Sequence, residues 1–341
     1  MEEVTLPCRL TRPMPRVFSG IQPTGSLHLG NYLGAIQNWV GLQDKPGLDR
    51  LYCVVDYHAI TIEYDPGTLA QQTLSMVRDL LACGLDPDRS TIFVQSQVPE
   101  HTELAWIFQA TSTAYGELQR MTQFKAKSEQ QAFATAGLFT YPVLQAADIL
   151  LYDADQVPVG EDQVQHLELT REIARRFNKR YGETFPEVKP LLTKSPRIAS
   201  FRDPVQKMSK SSGEGHYLSM DAPEAEIRKM IQKAVVDSGP QSDGSMGPGV
   251  ANMFTILAAL DTQGIHGRLS ADYANGTLRY VDLKGAVADA VWTTASRIQS
   301  RKAEFPPERV AEVLRAGAAR ARPMAQKKIA YVRSRIGLAS V

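Results

Sequence analysis

Cysteine is scarce in this chain. Cys8, Cys53 and Cys83 are its three cysteines, odd in number and far apart, with no Cys-x-x-Cys pair. That excludes a zinc knuckle or a dithiol redox site and fits a reducing compartment. An excess of charge of one sign is also missing: Lys plus Arg is 38 against 37 for Asp plus Glu. There is no global basic field of the kind that binds nucleic acid non-specifically, so any RNA contact must use local patches. Long apolar runs are absent too. The first 20 residues hold three arginines and three prolines without a continuous apolar stretch, and no later stretch is long enough to span a bilayer. These absences predict a soluble, untargeted, cytoplasmic protein. Internal repeats and low-complexity tracts are absent as well.

What is present is length for more than one domain: 341 residues suit one large and one smaller domain, each with an ordinary core. Arg16 to Gly20 (RVFSG) is a short apolar run stopped by glycine, followed by a helix-like stretch from about Leu27 to Leu42. Leu51 to Asp56 and Thr91 to Gln95 are further β-branched runs, separated by an amphipathic stretch from about Pro66 to Cys83. Strands alternating with helices predict an α/β fold built on a Rossmann-like parallel sheet. Helical patterns then dominate from about Glu100 to Asp148 and from Gln163 to Tyr181. Past Pro190, the breakers Ser195, Pro196, Ser200, Asp203 and Pro204 and a Lys/Ser-rich loop mark a domain junction. From Ala222 only helical periodicity remains, interrupted by the Gly/Pro-rich loop Asp237 to Gly249. The predicted division is a catalytic domain over 16–205, a smaller all-helical domain over 206–306, a C-terminal helix over 307–341 packed back on the first domain, and an N-terminal extension over 1–15.

The segment from Pro23 to Asn31 (PTGSLHLGN) sits where the first strand hands over to the first helix. Backbone N–H groups at a helix N-terminus are unpaired and lie at the positive end of the dipole, so an anion binds there readily. Gly30 leaves room for a flat purine, and His28 and Asn31 can each donate to a phosphate or ribose oxygen. The plainer reading makes Thr24 or Ser26 a helix cap and His28 a surface residue, and this segment alone does not separate the two. The string Lys207-Met208-Ser209-Lys210-Ser211 does. It should arise by chance in roughly one in ten thousand chains of this length. Two ammonium groups on a Ser-rich loop can swing onto a triphosphate and neutralise charge growing on a leaving pyrophosphate.

Tyr141, Gln145 and Asp148 fall on one helical face at spacings of four and three, with Pro142 suited to the first helical position. That polar face can meet a small polar ligand; the alternative is an acid that merely caps or pairs near a helix end. His58, after the second strand, is either a pocket residue or a satisfied core histidine.

The paired segments resemble the HIGH and KMSKS signatures of class I aminoacyl-tRNA synthetases, with His28-Leu29-Gly30-Asn31 standing at the first. Phe18 to Gly25, Asp56 to Ile60, Glu117 to Lys125, Ala146 to Tyr152 and Val157 to Gln163 resemble the bacterial tryptophanyl enzymes, and the likeness runs from about Val17 through nearly the whole chain. The resemblance implies activation of tryptophan by ATP, with Mg²⁺ carried on the ATP phosphates, and transfer to tRNA. It also implies an anticodon-binding role for the helical domain and a homodimer. By the same resemblance Asp148 accepts the indole N–H, Tyr141 and Gln163 meet the substrate ammonium and Gln22 its carboxylate side. Phe18, Val157 and Val159 wall the indole, with His58 and Gln145 beside it. Gln145 stands where the family usually has methionine. Gln22, Thr24, His28, Gly30, Asn31, Gly160, Asp162, Lys207, Met208, Ser209 and Lys210 would hold ATP, and Lys125, Lys127, Lys207 and Lys210 would supply charge to the reaction. Three rivals share parts of this pattern: a tyrosyl enzyme of the same architecture, a small-molecule adenylyltransferase with the same His-x-Gly turn, and a non-enzymatic paralogue.

Overall fold

The run Arg16–Ile21 forms β1, the middle strand of a parallel sheet whose order is β3-β2-β1-β4-β5, where β2 is Asp49–Val54, β3 Thr91–Val94, β4 Gln156–Val159 and β5 Lys189–Leu192. The computed structural model of the chain describes residues 14–121, 134–160, 164–192, 196–236 and 245–339. Three of the strands lie where the sequence predicts them. The other two do not appear in that reading, because each is four residues long and carries a proline, Pro158 or Pro190, which argues against a strand.

Alternation along the strands divides the apolar side chains between the two sheet faces. Tyr52, Val54, Ile92 and Val94 join one apolar cluster, while Leu51, Cys53, Val55 and Phe93 join the other. Both faces are therefore covered by helices, as parallel sheets require. On the first face, helical turns Leu29–Asn31 (α1) and Gln37–Leu42 (α2), joined by a π-helical turn Tyr32–Ile36, bring Trp39 onto Tyr52 with ring centroids 4.7 Å apart. Asp56–Ala59 (α3) follows β2. Leu69–Cys83 (α4) packs on β2 and stops at Gly84, whose φ of 115° lies in the left-handed region that glycine tolerates. On the other face lie Glu100–Thr111 (α5), Tyr115–Gln119 (α6), Ala136–Leu150 (α7) and Val164–Tyr181 (α8), packed through Phe108, Phe177 and Leu150. Each large side chain removed from water in these clusters stabilises the fold by about 1.5–3 kcal/mol.

Beyond the sheet the described chain is helical: Glu224–Gln232 (α9), Pro248–Leu260 (α10), Ile265–Ala274 (α11), Tyr280–Arg301 (α12) and Pro307–Ile336 (α13). The apolar residues of α9, α10 and α12 continue the same cluster that holds Leu27, Leu33 and Trp39. Lys302, at the end of α12, lies 2.5 Å from the buried Asp79 of α4 and also pairs with Asp221. Helix α13 lies against β3, α4 and α5. Its Gly317 passes so close to β3 that a Cβ there would collide with the Ile92 carbonyl, and Arg320 and Arg322 donate to the backbone carbonyls of Pro87 and Gln97 at 2.7 and 2.8 Å.

The order of connection matters for function. From β1 the chain moves outward to β2 and β3, then returns to place β4 on the other side of β1. That reversal is a topological switch point, and the crevice beyond the C-terminal ends of β1 and β4 is where ligands bind in such sheets. Gln22 and the turn to Gly30 lie past the end of β1, and Gly160 lies past the end of β4.

Candidate active site

The turn after β1 is held from several directions. Gly25 has φ of 79°, which carries the chain round toward the helix. His28 is the N-cap of α1: its Nδ1 accepts from the Asn31 N–H at 3.3 Å. Leu29 N–H donates to the Leu218 carbonyl and Met220 N–H to the Leu27 carbonyl, both at 2.9 Å, so the loop before α9 clasps the turn by its backbone. Burial, then the Lys210 charge, then that of Lys207 lower the His28 imidazole to about 4. It is neutral at pH 7, as an N-cap acceptor must be. A Cβ on Gly30 would come within 3.0 Å of the His28 ring and 3.4 Å of the Met208 Cβ. Any larger residue there would press on both signature segments at once.

The lysine loop docks onto this turn. Met208 is buried, and its N–H donates to the Ile198 carbonyl at 2.9 Å. That anchor aims Lys210, whose Nζ donates to the Thr24 carbonyl at 2.6 Å and to the Ser26 carbonyl. Burial lowers the Lys210 ammonium to about 8, against the opposing pull of Asp79 and Asp221. The cation thus rests on neutral carbonyl dipoles of the turn between β1 and α1. Lys207 is exposed, and Ser209 is half-buried.

A second cluster forms around Asp148 of α7, where the segments that follow β2 and β3 meet it. The helix begins at Ala136, where the Thr135 hydroxyl accepts from Leu138 N–H at 3.1 Å, so Pro142 is interior rather than first. An interior proline removes one donor, here the one owed to the Leu138 carbonyl, and crowds that carbonyl; the Thr135 cap and the burial of Leu138, Tyr141 and Val143 offset that cost. Tyr141, Gln145 and Asp148 keep their common face. Tyr141 is buried, its hydroxyl 2.9 Å from His166 Nε2, and burial raises its phenol to about 12.

Asp148 is 2% exposed and receives three hydrogen bonds. Gln95 Nε2 donates to Oδ1 at 2.7 Å, His101 Nδ1 lies 2.6 Å from the same oxygen, and His58 Nε2 lies 2.8 Å from Oδ2. Burial alone would raise this carboxyl, but the bonds from His101 and His58 outweigh it and hold it below the ordinary carboxylate range. Gln95 is oriented unambiguously, since its Oε1 accepts the Tyr57 N–H at 3.1 Å. Behind the carboxylate, His101 Nε2 lies 2.8 Å from the Tyr152 hydroxyl, and the Tyr152 ring stacks on Phe18 at 5.7 Å.

The residues singled out from sequence thus gather into two groups joined by β1. Thr24, His28, Gly30, Asn31, Met208 and Lys210 form one; Phe18, His58, Tyr141 and Asp148 form the other, with half-buried Gln145 one turn before Asp148. Half-buried Gln22 lies on the chain between them. Val157 is buried in the same apolar cluster as Phe18, and Gly160 is exposed. Lys125, Lys127, Asp162 and Gln163 lie outside the described residues, as does the side chain of Val159. Sequence reasoning misses Gln95, His101 and His166, and it gives Tyr152 no role beyond the family-like segment that it ends. Gln95 had a usable signal: it follows β3 directly, at the same sheet end as Gln22 after β1 and His58 after β2.

The chain is similar to known proteins over nearly its whole length. A family model described as tRNA synthetases class I (W and Y) matches residues 11–295. Tryptophan–tRNA ligase 2 of Streptomyces avermitilis is 47% identical, the alignment covering 95% of this chain and 97% of that one. Among solved structures, tryptophanyl-tRNA synthetase from Mycoplasma pneumoniae is 38% identical with a TM-score of 0.87, covering 96% of this chain and 99% of its own. The Campylobacter jejuni tryptophanyl-tRNA synthetase, solved as a complex with ADP and tryptophan, is 33% identical with a TM-score of 0.79, covering 95% and 100%.

Proposed function

The chain belongs to the class I tRNA synthetases of the tryptophan and tyrosine group, and we propose that it is a tryptophan–tRNA ligase that activates its amino acid with ATP. The observation that supports the choice of amino acid is Asp148, a buried carboxylate with three donors on it and an acceptor position left on Oδ2 for a ring N–H, combined with the apolar walls Phe18 and Val157 that suit a two-ring side chain.

In the first step an oxygen of the tryptophan carboxylate attacks the α-phosphorus of ATP in line with the bridging oxygen to the β-phosphate. The new O–P bond forms as the bridging bond breaks, and pyrophosphate leaves. No general base is needed, because a carboxylate with pKa near 3 or 4 is already ionised at pH 7; the work is positioning and charge stabilisation. His28, Gly30 and Asn31 at the helix N-terminus, with Gln22, Thr24, Gly160, Asp162, Met208 and Ser209, hold the nucleotide. Lys207, Lys210, Lys125 and Lys127 meet the phosphates, and Mg²⁺ arrives on them as part of the substrate. Lys210 exchanges the Thr24 and Ser26 carbonyls for phosphate oxygens as negative charge shifts to the leaving group. Phe18, Val157 and Val159 wall the indole; Tyr141 and Gln163 take the ammonium. In the second step a terminal ribose hydroxyl of the tRNA attacks the adenylate carbonyl and AMP leaves. We assign the helical region, about 206–306, to the tRNA anticodon, and the working unit is a homodimer, a state that light scattering reads directly.

Pyrophosphate exchange into ATP, run with each of the twenty amino acids, tests the proposal. Tryptophan should support exchange orders of magnitude faster than tyrosine. Equal or faster exchange with tyrosine would overturn the amino-acid assignment and leave the class intact.

A further inference from the structure

Asp148 is held very unevenly. Its Oδ1 takes two donors, from Gln95 and His101, while Oδ2 takes one, from His58. A carboxylate oxygen has about two acceptor positions, so Oδ1 is saturated and Oδ2 is not. Because an ionised carboxylate cannot donate, His101 must carry its proton on Nδ1. With that proton placed, the other ring nitrogen, Nε2, faces the Tyr152 hydroxyl at 2.8 Å. Burial pushes that phenol well above its ordinary range, so it keeps the proton it donates. His101 has no measurable exposure, and its ring lies 5.4 Å from that of Tyr152 and 6.1 Å from that of Phe93. Tyr152 is itself stacked on Phe18. The imidazole can neither rotate into solvent nor change tautomer without stranding a buried donor or acceptor.

We propose that His101 and Tyr152 are positioning residues for substrate selection: the Tyr152 hydroxyl fixes His101 as the Nδ1–H tautomer, and that N–H, with the Gln95 amide, locks Oδ1 of Asp148 so that Oδ2 alone receives a donor on the substrate ring. This rests on the assignment of Asp148 as the acceptor for the indole N–H. Neither His101 nor Tyr152 needs to touch the amino acid through a polar atom. Their effect is on the direction of the acceptor, and direction is what separates a ring bearing an N–H from an isostere that lacks one.

The test compares tryptophan with β-(benzothien-3-yl)alanine, in which sulfur replaces the indole N–H at nearly unchanged ring size. Pyrophosphate exchange gives kcat/KM for each, and their ratio is the readout. The parent should prefer tryptophan clearly; a parent ratio near one would overturn the Asp148 assignment itself and the proposal with it. Given a parent preference, His101→Leu should lower the ratio by about tenfold or more, the worth of a well-aimed hydrogen bond to a charged acceptor. His101→Asn should largely restore it, because the asparagine amide nitrogen can stand at the Nδ1 position and keep a donor on Oδ1. Tyr152→Phe removes one hydroxyl and keeps the ring stack, so it should shift the ratio in the same direction by a smaller factor, and it keeps the proposal testable if His101→Leu does not fold. A merely structural role predicts otherwise. Loosening the pocket would lower both rates together and leave the ratio at the parent value, with His101→Asn no better than His101→Leu, and that result would overturn the positioning role.

Discussion

The two halves of the site handle charge in opposite ways. Asp148 is buried, and its hydrogen-bond partners are fixed side chains that are themselves packed or bonded. Lys210 is half-buried, and its partners are the neutral carbonyls of Thr24 and Ser26. One charge is locked in place and the other is stored. Selection of an amino acid benefits from an acceptor that does not move, whereas phosphoryl chemistry benefits from a cation that arrives as charge develops. The contrast implies that substitutions in the two halves should fail in different kinetic parameters.

The largest effect is expected at the stored charge. Lys210→Ala should lower kcat for pyrophosphate exchange by about 10²-fold or more, with tryptophan KM little changed. A variant in which KM rises and kcat holds would erase the contrast. Since burial lowers this ammonium to about 8, it loses its proton above that pH, and kcat/KM for ATP should decline there. Lys210→Arg, whose guanidinium stays charged, should move that decline upward.

Asp148→Ala breaks the locked half. It should lower kcat/KM for tryptophan by about ten- to a hundredfold and that for phenylalanine less, since phenylalanine has no ring donor to strand. The same change leaves the donors of His58, Gln95 and His101 without their acceptor, so the thermal midpoint should fall as well. The substrate ratio, rather than the melt, therefore separates a ligand role from a structural one: an unchanged tryptophan-to-phenylalanine ratio would assign Asp148 to the fold alone.

The last effect, on stability and with none expected on rate at pH 7, sharpens the boundary between the halves. His28 titrates near 4 in the folded chain against an ordinary 6.5, so between those values the unfolded chain binds more protons. Stability should be full above about pH 6.5 and decrease as pH falls through 4, by roughly 3 kcal/mol in total. His28→Asn keeps an N-cap acceptor that does not titrate. Urea midpoints at pH 7 and 4.5 should differ less for that variant than for the parent, and an equal difference would place the acid sensitivity elsewhere.

How much of this was legible in the sequence depended on whether a residue's neighbours were near in the chain. The strand-turn-helix around His28 is local, and its glycine and polar residues announce it. β4 and β5 are short and carry prolines, so only their partners across the sheet reveal them. The common face of Tyr141 and Asp148 followed from helical spacing even though the helix starts six residues before Pro142. The partners of Asp148 did not follow, because Gln95 and His101 are 53 and 47 residues away and meet it only once the end of β3 and α5 come together with α7. Lys210 shows the same limit: its motif is conspicuous, but its resting place on carbonyls 184 and 186 residues upstream is a property of the folded chain.

The close passage of Gly317 against Ile92 has a consequence for how the protein is made. Among the described residues β3 has a strand neighbour on one side alone, and α13, which lies against it, is encoded more than 200 residues later. On the ribosome the sheet can assemble, with Gln95 already standing at its end, long before that helix is synthesised. At about 5–20 residues per second the outer strand waits on the order of ten seconds or more for its cover. During that interval an unpaired strand edge is open to wrong partners, so sequences that slow translation between β3 and α13 should cost yield of native protein before they alter any property of the finished fold.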